Sequence, residues 1–252
     1  MVTDIRQPAP FLHPFPDPVD VFSDPVDRYA RHLHPLCTID LSAVDPAWQG
    51  RIHMLSPIEP YEGLIGQSTV AHHGEFLRPN WLAFELKDDR YTLLGDWRYF
   101  EVNDPDLSPS FRTELDIRHE DSHLAFAAMQ AHYAGCHRLD IMRTGARNVR
   151  DPDTLALLHK RREIRGFDSD GDPLPLLAQL GGEAFEGNWS ESSEWPIDRN
   201  PAGDPAPLTA DGRRFRFIAH VPGYNYCLHG ADSILLFYDP QDSIALFTFD
   251  WT

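Results

Sequence analysis

Short apolar runs separated by turn-forming residues dominate the chain between residues 50 and 103. The runs are RIHML, STVAH, NWLAFEL, YTLLG and WRYFEV, and the segments between them include SPIEP, HHGE, KDDR and GD. Short β-branched or aromatic runs bounded by turn formers predict strands. Within NWLAFEL, residues 80–86, alternate positions differ in polarity, which predicts that one face of this strand is the more apolar.

A helical pattern replaces the strand pattern after NDPDLSPSF. The spacing predicts a helix over residues 111–134, with Ser108 or Ser110 as its N-cap and Gly135 as its stop. The segment DPDTLALLHKRREI, which begins at Asp151, predicts a second helix with that aspartate as its cap and a proline in its first turn. The middle of the chain is therefore expected to be helical over residues 111–165.

Strand patterns return over residues 172–252. The runs RRFRFIAHV, DSILLFYD and SIALFTFDWT are strongly apolar, and the last two predict a hairpin closed at Pro240–Asp242. The order of elements predicts an α+β fold, mostly antiparallel sheet with two main helices in the middle of the chain. We expect a proline-rich, irregular N-terminal arm over residues 1–35 and a single α+β domain over residues 36–252.

Composition restricts the classes of partner. The 39 acidic residues against 22 Lys and Arg give a net charge of −17, which opposes binding to nucleic acid and to anionic membranes. Such a surface favours cationic partners, although simple solvation also explains it. The scattered cysteines Cys37, Cys136 and Cys227 indicate neither a disulfide framework nor a thiolate zinc site. No signal peptide or membrane span is recognisable, and we expect a soluble, cytoplasmic protein.

The stretch RHEDSHLAF, residues 118–126, contains the pattern H-E-x-x-H. On a helix, His119 and His123 lie one turn apart and can both bind zinc, and Glu120 can then activate a water molecule. A third ligand is not evident, since His132 falls towards the opposite side of the helix. The alternative is a helix edge that carries two neutral histidines and no metal.

Two aromatic segments are candidates for partner binding. WSESSEW places Trp189 and Trp195 in an acidic loop, and GYNYCLHGAD places Tyr224 and Tyr226 in a connection bounded by glycines. Exposed aromatic rings of this kind anchor protein partners or small ligands. The same rings can instead cover the core of the sheet.

The C-terminal part of the chain resembles a known family. PLPLLAQL and RFRFIAHV resemble the P-L-x-F-L-A-Q strand of the YwqG-like family of uncharacterised bacterial proteins (domain of unknown function 1963), and SILLFYD resembles its later L-x-F-F strand. The resemblance covers residues 170–252. It implies an α+β fold rich in antiparallel strands and, because some relatives occur near toxin systems, an immunity or adaptor role. It implies no catalytic residues.

These observations predict a non-catalytic cytoplasmic protein that binds another protein through its acidic face. The most concrete form is an immunity protein, an inhibitor of a basic bacterial toxin, because opposite charges accelerate association. The alternative is a zinc-dependent hydrolase built on His119, Glu120 and His123. A third possibility is a small-ligand binder that uses Tyr224, Tyr226 and the tryptophan loop.

Overall fold

A computed structural model of the chain describes residues 1–60, 63–143 and 166–251. The strands are β1 (Val2–Ile5), β2 (Leu12–Pro14), β3 (Leu33–Asp40), β4 (Arg51–Pro57), β5 (Leu77–Arg78), β6 (Trp81–Lys87), β7 (Arg90–Leu93), β8 (Ile141–Arg143), β9 (Gly166–Asp168), β10 (Leu177–Leu180), β11 (Ile197–Arg199), β12 (Pro205–Pro207), β13 (Arg216–Val221), β14 (Ser233–Asp239) and β15 (Ile244–Asp250). The α-helices are α1 (Pro18–Val21), α2 (Val26–Ala30), α3 (Pro109–Cys136) and α4 (Asn188–Glu191). The 3₁₀ helices span Leu41–Ala43, Gln67–His72, Trp97–Tyr99, Glu101–Asn103 and Gly223–Asn225.

The largest sheet is antiparallel and runs in the order β1-β10-β13-β14-β15-β6-β5, with β7 also paired to β6. Its centre is the predicted hairpin, in which β14 and β15 pair from Ser233–Asp250 to Asp239–Ile244. A smaller antiparallel sheet has the order β2-β3-β4, and β8-β9 and β11-β12 form two-stranded ribbons. The expected α+β class with mostly antiparallel strands is confirmed.

The large sheet is covered on both faces, which explains the uninterrupted apolar run in β14. Ile234 and Leu236 face a large core shared with the smaller sheet, whereas Leu235 and Phe237 face a second core rich in tryptophan. The first residues of β6 also alternate between the two cores. The side chain of Leu82 packs in the first core, and those of its neighbours pack in the second. The predicted difference in polarity between the two faces of β6 is therefore found only at its C-terminal end, where alternate residues are exposed.

Two of the predicted strands are 3₁₀ helices instead. The run STVAH lies in the 3₁₀ helix Gln67–His72, and WRYFEV contains the 3₁₀ helices Trp97–Tyr99 and Glu101–Asn103. Local hydrogen bonds explain the difference, because Asp96 accepts from the amide of Arg98 and the Thr69 hydroxyl donates to the carbonyl oxygen of Gly66 at 3.2 Å. Such side-chain bonds compete with strand pairing, and composition alone did not reveal them.

The long helix α3 extends two residues beyond each end of its predicted range. The Ser108 hydroxyl accepts from the amide of Phe111 at the N-terminus, and the helix ends at His137, which adopts a left-handed conformation with φ of 56°. The stop therefore falls just after the predicted Gly135. The predicted second helix, which begins at Asp151, lies outside the described residues.

The N-terminal segment is more regular than its proline content indicates. β1 pairs with β10 of the large sheet, and β2 pairs with β3 of the smaller one. Phe22 is fully buried, and Phe11 and Phe15 pack against the large core. No helix within the described residues is long and apolar enough to cross a membrane.

Candidate metal centre

Four histidines form two facing rows between α3 and the start of β3. His32 lies in the turn before β3 and His34 lies within β3, and the rings of both face α3. His119 and His123 are four residues apart on α3 and share one helix face. The ring centroids are 6.3 Å apart for His32 and His119, and 5.0 Å apart for His34 and His123.

A buried carboxylate completes the first row. Glu59 follows β4, and its Oε1 lies 3.5 Å from Nε2 of His119. One potential ligand atom from each of His32, Glu59 and His119 lies within 4.8 Å of the others. The three residues are only 2%, 4% and 6% exposed. Three separate parts of the chain thus bring two imidazoles and a carboxylate together out of water.

The hydrogen bonds fix how each group is presented. His119 donates through Nδ1 to the carbonyl oxygen of Leu115, at 3.0 Å, which leaves the lone pair of Nε2 directed towards Glu59. Metal-binding histidines are commonly held by this kind of bond from the second ring nitrogen to a carbonyl oxygen. Glu59 accepts from the backbone amides of Glu101 and Val102, at 2.6 and 3.0 Å.

His32 has one ring nitrogen engaged and one available. Its Nε2 lies 3.1 Å from the side-chain amide nitrogen of Asn103, which also donates to the carbonyl oxygen of Trp97 at 2.7 Å. Its buried Nδ1 has no hydrogen-bond partner among the described residues. A buried polar atom without a partner is costly. Because the Asn103 amide nitrogen donates to Nε2, the ring proton of His32 lies on Nδ1 in this arrangement. Binding of a cation through Nδ1 would require that proton to move to Nε2 and the Asn103 amide to turn so that its oxygen accepts, which breaks the hydrogen bond from Asn103 to Trp97.

Burial sets the charge of the three groups. It lowers the pKa of His32 to about 3 and that of His119 to about 4, so both imidazoles are neutral at neutral pH. Burial raises the pKa of Glu59 to about 7, against the opposing effect of its two amide donors. Neutral imidazole and ionised carboxylate are the forms that bind metal ions. A cation would therefore displace the proton that burial favours on Glu59.

The second row is already satisfied by its own hydrogen bonds. Nδ1 of His123 lies 3.1 Å from Nε2 of His34, and His123 also bonds to the backbone of Arg31. His34 is 3.8 Å from the sulfur of Cys227 through its Nδ1, and its ring stacks on Phe126 with centroids 4.3 Å apart. Burial lowers the pKa of both histidines. His123 therefore contacts His34 rather than joining the trio.

The structure thus divides the residues of the H-E-x-x-H pattern. His119 joins His32 and Glu59, His123 joins His34, and Glu120 is exposed on the outer side of α3. Sequence reasoning missed His32 and Glu59 as candidates. The spacing of His32 and His34 was a usable signal for two histidines on one side of the chain, but nothing local identified Glu59.

The predicted partner-binding aromatic residues lie mostly inside the protein. Trp189, Trp195 and Tyr226 are 1%, 6% and 0% exposed, whereas Tyr224 is 54% exposed. The two tryptophans pack with Trp81 in the second core. Tyr226 donates to the carbonyl oxygen of Leu176 at 2.9 Å. In this conformation only Tyr224 offers its ring to a partner.

Comparisons with protein-family models, with curated proteins and with solved structures find no significant match to this chain. The motifs that carry the YwqG-like resemblance lie on β10, β13 and β14, which are neighbours in the large sheet. The resemblance itself stays an expectation.

Proposed function

We propose that this protein binds one divalent transition-metal ion, zinc before others, between His32, Glu59 and His119. The observation that carries the proposal is the buried meeting of two neutral imidazoles and a carboxylate, with ligand atoms within 4.8 Å. Zinc accepts this mixture of nitrogen and oxygen ligands, and His₂Glu sets with a fourth position for water are established zinc sites. Bonding distance would be reached by movements of the three side chains and, for His32, a turn of the Asn103 amide.

The ion would act first as a clamp. Its ligands come from the chain before β3, the chain after β4, and α3, so binding would fasten the long helix to the smaller sheet. Glu59 also lines a surface cleft of about 180 Å³, together with Gly66, Gln67 and Glu101. The cleft therefore reaches the carboxylate side of the proposed centre, which is where an ion would enter.

The hydrolase alternative has less support in this geometry. A zinc-bound water needs a base within hydrogen-bonding reach, and Glu120 lies on the exposed side of α3. A metal-binding role without hydrolysis is therefore the favoured form of the proposal. Hydrolysis would require a base other than the one that the sequence pattern indicates.

Metal content of tag-free protein tests the proposal. The test uses Cys136→Ser protein, which lacks the exposed thiol as an alternative ligand. Elemental mass spectrometry after incubation with zinc and desalting should give about one equivalent, which is lost when His119→Ala or Glu59→Gln is added. His123→Gln and Glu120→Gln are the matched controls on the same helix and should retain the ion. Equal loss in His119→Ala and His123→Gln would favour the pair indicated by the sequence, and absence of zinc from every variant would refute metal binding at this place.

Binding of a basic protein partner is the second candidate, because the net charge is −17. A toxin-neutralising immunity protein remains its most concrete form. Opposite charges raise association rates, and salt screens them. The association rate of a partner captured by this chain should therefore fall steeply between about 50 and 500 mM salt. A rate that does not respond to salt would remove the charge argument.

A further inference from the structure

A second group of metal-binding side chains lies at the C-terminal end of α3, away from the histidine rows. His132 and Cys136 are one helical turn apart, and Asp140 follows the helix. Nε2 of His132 lies 2.8 Å from Oδ2 of Asp140 and 3.4 Å from Sγ of Cys136. One ligand atom from each residue lies within 4.8 Å of the other two.

The surroundings hold two of the three groups in place. Asp140 is 1% exposed, and its Oδ1 accepts from Arg138, which leaves Oδ2 facing His132. The imidazole of His132 stacks on Phe167 with centroids 3.9 Å apart. Arg138 is itself anchored by the carbonyl oxygens of Ser169 and Gly171. The arrangement therefore has a positioned ring and a positioned carboxylate beside an exposed thiol.

The distances are close to those of a tetrahedral site. Zinc–sulfur and zinc–nitrogen bonds of about 2.3 and 2.0 Å imply ligand atoms roughly 3.5 Å apart. The sulfur–nitrogen separation of 3.4 Å already fits, and the nitrogen–oxygen separation of 2.8 Å must open slightly. The electrostatics are mixed, since the C-terminal end of a helix attracts cations and Arg138 opposes them.

We propose that His132, Cys136 and Asp140 form a second, solvent-facing site for a thiophilic divalent ion such as Zn²⁺. Binding converts the Cys136 thiol to a thiolate, which releases one proton to water, and moves the His132 ring proton from Nε2 to Nδ1. The exposed position of Cys136 leaves the fourth coordination position open to water or to an external ligand. The site would therefore exchange its ion faster than the buried trio.

Cobalt(II) titration of the tag-free full chain tests this inference, because thiolate coordination to cobalt produces a near-ultraviolet charge-transfer band. We expect the band in the wild-type protein and in His119→Ala, and its loss in Cys136→Ser. Cys227→Ser is the matched control and should retain the band, because Cys227 is buried and burial raises its pKa to about 12. His132→Gln should weaken cobalt binding at least about tenfold.

The outcomes separate the two centres. A band that persists in Cys136→Ser, or no band when cobalt is offered in excess, would overturn the second site. Loss of the band in His119→Ala with retention in Cys227→Ser would also contradict it, because the sites would then not be independent. Cys136 is exposed, so its conservative replacement tests the ligand without disturbing the core.

Discussion

At the scale of single residues, burial keeps several of this protein's histidines neutral by lowering their pKa. Of the 13 histidines, His32, His34, His53 and His119 are buried with a lowered pKa, and desolvation is the largest cause in each case. A buried neutral imidazole can accept and donate one hydrogen bond each. His32 and His119 have this property at the candidate metal centre. His53 has it at a purely structural position.

His53 illustrates the purely structural role and leads to a prediction on pH. Its Nδ1 lies 2.7 Å from the Thr38 hydroxyl, and its Nε2 donates to the carbonyl oxygen of Asp89 at 2.6 Å. Burial lowers its pKa from 6.5 to about 4. Between these values the unfolded chain binds more protons, so the stabilisation is present above pH 6.5 and is lost as the pH falls towards 4.

The shift corresponds to stabilisation on the order of 3 kcal/mol. His53→Gln should therefore flatten the decline in unfolding free energy between pH 6.5 and 4 without abolishing it, because the other buried histidines also contribute. Urea unfolding at several pH values measures the slope. An unchanged slope in the variant would show that His53 does not contribute to it.

At the scale of elements, α3 connects the two candidate centres. Its middle faces β3 through His119 and His123, and its last turn carries His132 and Cys136. Phe126, Met129 and Tyr133 anchor the same helix in the large core. The element that supplies ligands is thus positioned by apolar packing, and the ligands need not hold it alone.

The turn into the 3₁₀ helix Gln67–His72 is an element that depends on one glycine. Gly66 has φ of +75°, and a Cβ there would lie 2.2 Å from the ring of Tyr99. Gly212 has φ of +84°, and a Cβ added there would have no described atom within 4 Å. Comparing alanine substitutions at the two glycines therefore separates the cost of backbone strain from the cost of the steric clash.

Gly212→Ala should cost about 1–2 kcal/mol of unfolding free energy, which is the penalty of the left-handed conformation. Gly66→Ala should cost about 1–3 kcal/mol more, because the ring of Tyr99 must also move. Chemical denaturation of both variants gives the difference. Equal losses would mean that the core around Tyr99 yields freely to the added methyl group.

At the scale of the whole molecule, the large sheet separates two cores and the surface carries a strong negative charge. The first core joins the two sheets and α3, and the second packs three tryptophans against the other face. The net charge of −17 makes the surface carboxylates repel one another, which opposes the compact state. Stability should therefore respond to ionic strength.

Raising sodium chloride from about 10 to 150 mM should increase the Tm, because the Debye length shortens from about 30 to 8 Å. Each kcal/mol of relieved repulsion should raise the Tm by about 2–4 °C in a chain of this size. Chloride is preferred to sulfate, which also strengthens apolar burial. A lower Tm at the higher salt concentration would show that attractive ion pairs outweigh the repulsion.

Local sequence determined the elements whose pattern of apolar, polar and capping residues follows directly from their own burial and ends. The hairpin β14-β15, the strand β6 and the length of α3 follow from apolar runs, alternation and capping residues, because burial and capping act within a few residues of the chain. The runs STVAH and WRYFEV were predicted as strands because the hydrogen bonds of Thr69 and Asp96 that favour 3₁₀ turns depend on precise geometry.

The sequence by itself also determined the acidic surface and the spacing that places His119 and His123 on one helix face. Only the tertiary structure decided that His119 meets His32 and Glu59 while His123 meets His34. It also decided that Trp189, Trp195 and Tyr226 are buried and Tyr224 is exposed. The physical reason is common to these cases: they depend on contacts between distant segments, which the packing of α3 and the two sheets creates.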